Sequence, residues 1–365
     1  MLGGDDGRRL RGAVPGVGAV IGYYVHHHGR GHLHRAVCVA RCARTPITGL
    51  SSLPRPDGWA GDWVRLPIDT GPPGRPVADP TAGGRLHWAP LGHEGLRGRM
   101  AITARWIARA APELFVSDVS VEMACLARLM GVRIAVMAMR GNRLDAPHDL
   151  AYTMADALIA PWPAALPEPD WPEAWRSKTA HVGAFSRYDG RPVPARGERA
   201  NDPRPRPRVA VLLGAGGSDV SGEELREARA ATPEWEWQVL GHPDAPWCED
   251  PWPVLCGADV LVTHGGQNAI AECAAARRPT ICIPQDRPFG EQRATGRALA
   301  AGGLAVVRPH WPSAAEWPRL LESTRRRDGS RWAMWAPGDG ATRAAAVLDA
   351  PAASPVPGGH ACASP

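Results

Sequence analysis

Lysine is almost missing from this chain. Lys178 is the only one, so arginine supplies nearly all of the 42 basic residues. With 38 Pro and 41 Gly, that skew reads as GC-rich coding rather than as a functional surface. No dense run of basic residues is interleaved with aromatics, and the net charge is only +5, which argues against a nucleic-acid partner. The 8 cysteines are scattered without a CxxC pair and several fall inside apolar strands or helices, so they read as reduced and mostly buried. No apolar stretch approaches the roughly 20 residues needed to span a bilayer. No long apolar segment precedes Gly22 either, which argues against a secretory signal. The expected compartment is the cytoplasm, with peripheral membrane contact left open.

What is present suits two domains: 365 residues, 44% hydrophobic and 22% charged. Residues 1–14 are Gly/Arg/Asp-rich and read as disordered. Strand patterns at Ala19–Val25, Glu113–Asp118 and Val132–Ala138 alternate with helical ones at Leu33–Cys42, Leu96–Ala111 and Val121–Met130. That alternation predicts a parallel sheet wound on both sides, over a first domain of residues 15–190. The Arg/Pro-rich stretch 191–207 reads as a linker. A strand at Arg208–Leu213 opens a second domain, 208–349, and 350–365 reads as a tail.

Residues 260–292 carry the most information. The apolar run Val260–Val262 breaks at Thr263-His264-Gly265-Gly266 and restarts as an Ala-rich helix holding Gln267, Asn268 and Glu272. A helix that starts on bare glycines offers unpaired N–H groups and the positive end of a dipole, which suits a phosphate. A second strand (Thr280–Ile283) ends at Pro284, before a loop with Glu291 and Gln292. A segment of this shape is suited to a nucleotide diphosphate with a group attached. The turn Gly214-Ala-Gly216-Gly217-Ser218 also follows a strand and can cradle phosphate oxygens.

In the first domain, His26-His-His-Gly29-Arg-Gly31-His32 lies between strand and helix, and Gly29 and Gly31 let a ligand approach the backbone. His32 at the helix mouth is placed to act as a general base; a His-rich surface turn and a metal site are the alternatives. The spacing suits zinc poorly and no carboxylate or Cys joins in, so no metal is expected. Asp118 ends a strand on the carboxyl edge of the sheet, where it can orient a His or cap the next helix. Arg97, Arg99, Arg105 and Arg109 would suit an anionic lipid surface, although scattered arginines are usually just solvated.

The stretch from His264 resembles the C-terminal donor-binding domain of GT-B glycosyltransferases, the MurG-type peptidoglycan N-acetylglucosaminyltransferases and UDP-sugar transferases of small-molecule metabolism. The family pattern is His-Gly-Gly-x-Asn, a Glu eight residues after the His, a Pro-rich turn, and an acid–Gln pair. Here it is met by His264, Gly265, Gly266, Asn268, Glu272, Pro284, Glu291 and Gln292. Thr295-Gly296 stand where the family usually shows Asn-Ala.

The resemblance implies two Rossmann-like, doubly wound α/β domains facing across a cleft. It implies that His264 and the 265–268 turn meet a diphosphate, Glu272 the ribose, and Glu291 and Gln292 the sugar. A His32–Asp118 dyad would activate the acceptor hydroxyl, giving inverting transfer from a UDP-sugar, N-acetylglucosamine among the candidates, with no cofactor. The acceptor is left open between small-molecule and lipid-linked compounds. A UDP-N-acetylglucosamine 2-epimerase and a catalytically silent nucleotide-sugar-binding protein are the rival expectations.

Overall fold

The computed structural model describes residues 19–70, 77–194, 206–214, 219–246 and 248–350. The first sheet holds β1 (Ile21–Tyr24), β2 (Ile47–Ser51), β3 (Trp63–Arg65), β4 (Leu114–Ser117), β5 (Arg133–Met137), β6 (Ala157–Ala160) and β7 (Thr179–His181). Their order is β3-β2-β1-β4-β5-β6-β7, and every pairing is parallel. The second sheet holds β8 (Arg208–Leu212), β9 (Glu236–Leu240), β10 (Val260–Thr263), β11 (Thr280–Cys282) and β12 (Val306–Val307), in the parallel order β12-β11-β10-β8-β9. The central strands are buried on both faces, so they read as continuous apolar runs rather than as alternating ones.

Helices join the strands of the first lobe: α1 (Gly31–Cys42), α2 (Glu94–Ala110), α3 (Val121–Leu129), α4 (Ala146–Met154) and α5 (Glu173–Arg176). In the second half of the chain they are α6 (Gly222–Ala231), α7 (Trp252–Gly257), α8 (Gln267–Ala275), α9 (Glu291–Ala301), α10 (Trp317–Arg325) and α11 (Gly340–Leu348). None of the described helices is long and apolar enough to cross a membrane.

The strand orders explain where a site can form. Each sheet reverses direction between its first strand and the third or fourth: β1 lies beside β2 and β4, and β8 beside β9 and β10. Ligands of open α/β sheets bind in the crevice beyond the strand carboxyl ends at such a switch point. His32 follows β1 at the start of α1 and Asp118 follows β4 directly, while the loops after β8 and β10 carry Gly214 and His264. Two crevices from different lobes therefore meet.

Two expectations need correction. The segment 340–348, assigned from the sequence to the second domain, packs on the first lobe. Ala341, Ala344 and Leu348 of α11 join Ala36 and Val39 of α1 in one buried cluster, and Asp349 accepts from the Arg44 and Thr45 N–H groups at 2.9 Å each. The apolar stripe of α11 is Ala-rich and short, so only the matching small face of α1 decides its partner. Arg99 is no surface cation: it is 2% exposed and donates to Asp69 Oδ2 at 2.5 Å and to Tyr24 Oη at 3.0 Å. Arg97, Arg105 and Arg109 do face solvent.

Candidate functional site

Asp118 is fully buried directly after β4, where its backbone N–H donates to the Tyr24 carbonyl of β1 at 3.2 Å. It does not cap α3. Ser120 does, its hydroxyl accepting from Met123 N, which leaves the carboxylate for the cleft side. Oδ1 lies 3.0 Å from His32 Nδ1, Oδ2 accepts from Arg35 Nε at 3.2 Å and from Tyr23 Oη at 3.4 Å, and Arg35 Nη2 makes a further close bond to Oδ1. Burial pushes the Asp118 carboxyl up, but the charges of Arg35 and His32 outweigh it and hold the pKa down at about 2. An ionised carboxylate takes the Nδ1 hydrogen, leaving His32 Nε2 as the ring's acceptor. Arg35 Nη2 also lies 3.0 Å from His32 Nδ1. Two donors cannot bond each other, so Asp118 takes hydrogens from both.

Arg35 carries the site across the lobes. It lies one turn along α1 from His32, and its Nη1 donates to Gln267 Oε1 of α8 at 2.6 Å. The two glycine-started helices face each other closely. A Cβ placed at Gly31 would lie 2.1 Å from Asn268 Nδ2, so a side chain there would push the amide aside.

The α8 start keeps its donors available: its N-cap, Gly266, provides no side-chain bond. Gly266 N donates instead to His264 Nδ1 at 3.0 Å. Burial and nearby Arg287 hold the His264 pKa down at about 4, so the ring is neutral at pH 7. With Nδ1 accepting, Nε2 carries the hydrogen, and no described residue bonds it. Gly265 is required by close approach, since a Cβ there would sit 2.6 Å from the Gln292 carbonyl oxygen.

Glu272 is 7% exposed on α8, where Arg187 Nε donates to its Oε1 at 2.9 Å. Burial raises its pKa, and Arg187 offsets only part of the rise. Glu291, the first residue of α9, pairs with Arg143 of the first lobe at 3.2 Å. The oxygen of Gln292 accepts from both Gly265 N and Gln285 N at 3.0 Å, so this amide also ties the β10 and β11 loops together. Thr295 and Gly296 are buried on α9, with the Thr295 hydroxyl bonded to the Glu291 carbonyl.

His32, Gly31, His264, Gly266, Gln267, Asn268, Glu272, Glu291 and Gln292 all line one cavity of about 620 Å³ between the lobes. Gly29 has φ +72 at the turn before it, and Gly265 lies just behind the wall. Gly216, Gly217 and Ser218 fall outside the described residues. Arg35, Arg143 and Arg187 belong to the site but escaped the sequence reading. Each is one arginine among many, and only its carboxylate or amide partner, far off in sequence, distinguishes it.

The His-rich loop does not gather three metal-ligating atoms among the described residues. The group that does is His87–Asp145–His148, where Asp145 bridges the two rings at 3.2 and 2.5 Å. Arg143 Nη1 lies 3.2 Å from His148 Nε2, which makes that group a hydrogen-bonded relay.

The glycosyltransferase family 28 C-terminal domain matches residues 253–309, which include the whole His264–Gln292 segment. The UDP-N-acetylglucosamine–N-acetylmuramyl-(pentapeptide) pyrophosphoryl-undecaprenol N-acetylglucosamine transferase of Synechococcus elongatus is 30% identical over 146 residues, 33% of this chain and 40% of that protein. The protein of the same name from Halorhodospira halophila is 28% identical over 179 residues, 40% of this chain and 50% of that one. The chain thus spans half or less of the length of these curated relatives. Among solved structures, Acinetobacter baumannii MurG superposes with a TM-score of 0.60 at 12% identity, covering 91% of this chain and 99% of that one. The kitacinnamycin glycotransferase superposes with a TM-score of 0.65 at 16% identity, covering 91% and 98%. The two parallel sheets, the cleft between them and these superpositions give the chain the GT-B fold, and residues 253–309 carry its likeness to the glycosyltransferase family 28 C-terminal domain.

Proposed function

We propose that the protein is an inverting glycosyltransferase that moves a sugar from a UDP-sugar to an acceptor hydroxyl. The observation that carries this reading is the interlobe cavity with His32 on one wall and the α8 start and Glu272 on the other. The diphosphate sits against the N–H groups at the start of α8, with the helix dipole and the His264 Nε2–H facing it. Glu272 accepts from ribose hydroxyls, a task for a carboxylate that distinguishes a ribonucleotide from its deoxy form. Glu291 and Gln292 meet the sugar. N-acetylglucosamine is the sugar proposed, since the curated relatives carry it in their names.

His32 Nε2 removes the proton from the acceptor hydroxyl while Asp118 holds Nδ1 and stabilises the charge that develops on the ring. The oxygen attacks the anomeric carbon from the side opposite UDP, the bond to the diphosphate breaks, and configuration inverts. The charge growing on the leaving diphosphate falls on donors already in place, so their orientation costs little at the moment of reaction.

The test is UDP release and product mass with a panel of UDP-sugars and hydroxyl acceptors. His32→Ala should lower turnover about 100-fold or more while leaving UDP affinity nearly unchanged. Equal loss in both would remove the base role. Conversion of UDP-N-acetylglucosamine with no acceptor consumed would point to an epimerase instead.

A further inference from the structure

Resting on that reading, we infer that the acceptor is a compact, uncharged, ring-bearing hydroxyl compound. It would be held in a first-lobe cavity in which His27 selects for its polar group. This cavity, of about 260 Å³, is separate from the donor cavity and walled by Trp88, Leu96, Met100 and Met123. Its size is at the low end for a small-molecule site and accommodates roughly one or two rings.

Among the described residues, the Arg and carboxylate charges in its wall are already committed. Arg99 donates to Asp69, Tyr24, the Pro67 carbonyl and Ser52. Glu122 accepts from the His87 and Trp88 N–H groups at 2.8 and 3.0 Å and from the Ser120 hydroxyl at 3.0 Å. Among the described residues no uncommitted cation in this wall can meet a phosphate or a carboxylate, and an anion brought against them would lose its hydration with nothing in return.

His27 is different. Its side chain is only 8% exposed, yet both ring nitrogens are buried without a hydrogen-bond partner among the described residues, the nearest carboxylate oxygen being that of Asp69 at 3.6 Å. A buried imidazole left in this way calls for a ligand that supplies the missing bonds. Burial also lowers the pKa values of His26 and His27, so neutral imidazoles border the cavity; His26 Nδ1 already accepts from His28 N at 3.2 Å, while His27 keeps both a donor and an acceptor to offer. They match a hydroxyl or carbonyl group.

The cavity is also correctly placed. His28 lines both this cavity and the interlobe one, and the His26 ring centroid lies 5.6 Å from that of His32. A ring seated against Met100 and Met123 can therefore turn a hydroxyl toward His32.

The experiment uses the full chain with UDP-N-acetylglucosamine and three acceptor sets: neutral hydroxycoumarins and phenols, their carboxylated counterparts, and a polyprenyl-pyrophosphate-linked amino sugar. Product mass and kcat/KM are read for each, with UDP affinity measured separately by calorimetry. Neutral rings should be glycosylated with kcat/KM at least about tenfold above their carboxylated counterparts. Met100→Trp, which fills the cavity, and His27→Phe, which keeps its shape and removes the polar contact, should each raise acceptor KM about tenfold with UDP affinity unchanged. Preference for the pyrophosphate-linked acceptor, or an unchanged acceptor KM in both variants, would overturn the inference. A protein that binds UDP yet glycosylates none of the three sets also overturns it. A protein that binds no UDP overturns the transferase reading on which it rests.

Discussion

Asp118→Asn tests the centre of the proposed site through stability as well as activity. The substitution keeps the shape and removes the charge that Arg35 faces. Asp118 is fully buried and Arg35 is 4% exposed. A buried guanidinium that loses the carboxylate it is bonded to costs about 3–5 kcal/mol. The pKa provides a second route to the magnitude. It falls from 3.8 to about 2 on folding, and at roughly 1.4 kcal/mol per unit this is about 2 kcal/mol of stability at neutral pH. Because the folded value lies below the unfolded one, that stability is present above pH 3.8 and is lost as pH falls toward 2. The two routes together give about 2–5 kcal/mol out of a total that for most domains is about 5–15.

Urea unfolding at pH 7 measures the loss directly, and a double-mutant cycle with Arg35→Met isolates the pair. The double variant should recover about half or more of the loss, because it removes the unpaired charge. His32→Ala gives the contrasting result: its ring is partly exposed and the Asp118–Arg35 pair stays intact, so stability should change by less than about 1 kcal/mol while turnover collapses. The argument fails if Asp118→Asn unfolds within about 1 kcal/mol of the parent, or if adding Arg35→Met brings no recovery.

Two further outcomes follow from the site. Glu272→Gln should weaken UDP binding about 10- to 100-fold and abolish the preference for UDP over its 2′-deoxy form, with thermal stability nearly unchanged because Arg187 is one-third exposed. Calorimetric titration with both nucleotides checks it, and equal affinity in parent and variant would refute the ribose contact. The folded chain should also be acid-labile well above the carboxylate range. Burial lowers the pKa of His34, His148 and His264 from 6.5 to about 4 and that of His26 to about 3. The unfolded chain takes up protons between pH 6.5 and 4 that the folded chain refuses, so stability rises with pH over this window and levels off above it. His264 alone accounts for up to about 3 kcal/mol. Unfolding midpoints that coincide at pH 5 and pH 7.5 would contradict this.

The segments most legible in the sequence were those whose local pattern and burial agree. Val260–Thr263, Leu114–Ser117 and Arg133–Met137 are apolar because both faces of a parallel sheet are covered, and each lies within a residue or two of where its composition placed it. The glycines before α8 and the carboxylate two turns into it are also local, so the α8 wall of the cavity could be read from spacing and family resemblance together. The His32 wall was less legible. His32 and Asp118 are 86 residues apart, and only the pairing of β1 with β4 brings them to 3.0 Å.

The alternation of elements, the two-lobed α/β plan and the phosphate-ready helix start follow from the amino-acid order itself, because each depends on residues within a few turns of one another. Which arginines serve the site was settled only by folding. Arg35, Arg143 and Arg187 look like their neighbours in a chain full of arginine until Asp118, Glu291 and Glu272 are brought against them. The α11 helix makes the same point. Its small apolar face fits α1 of the opposite lobe, and no feature of residues 340–348 names that partner before the chain has closed on itself.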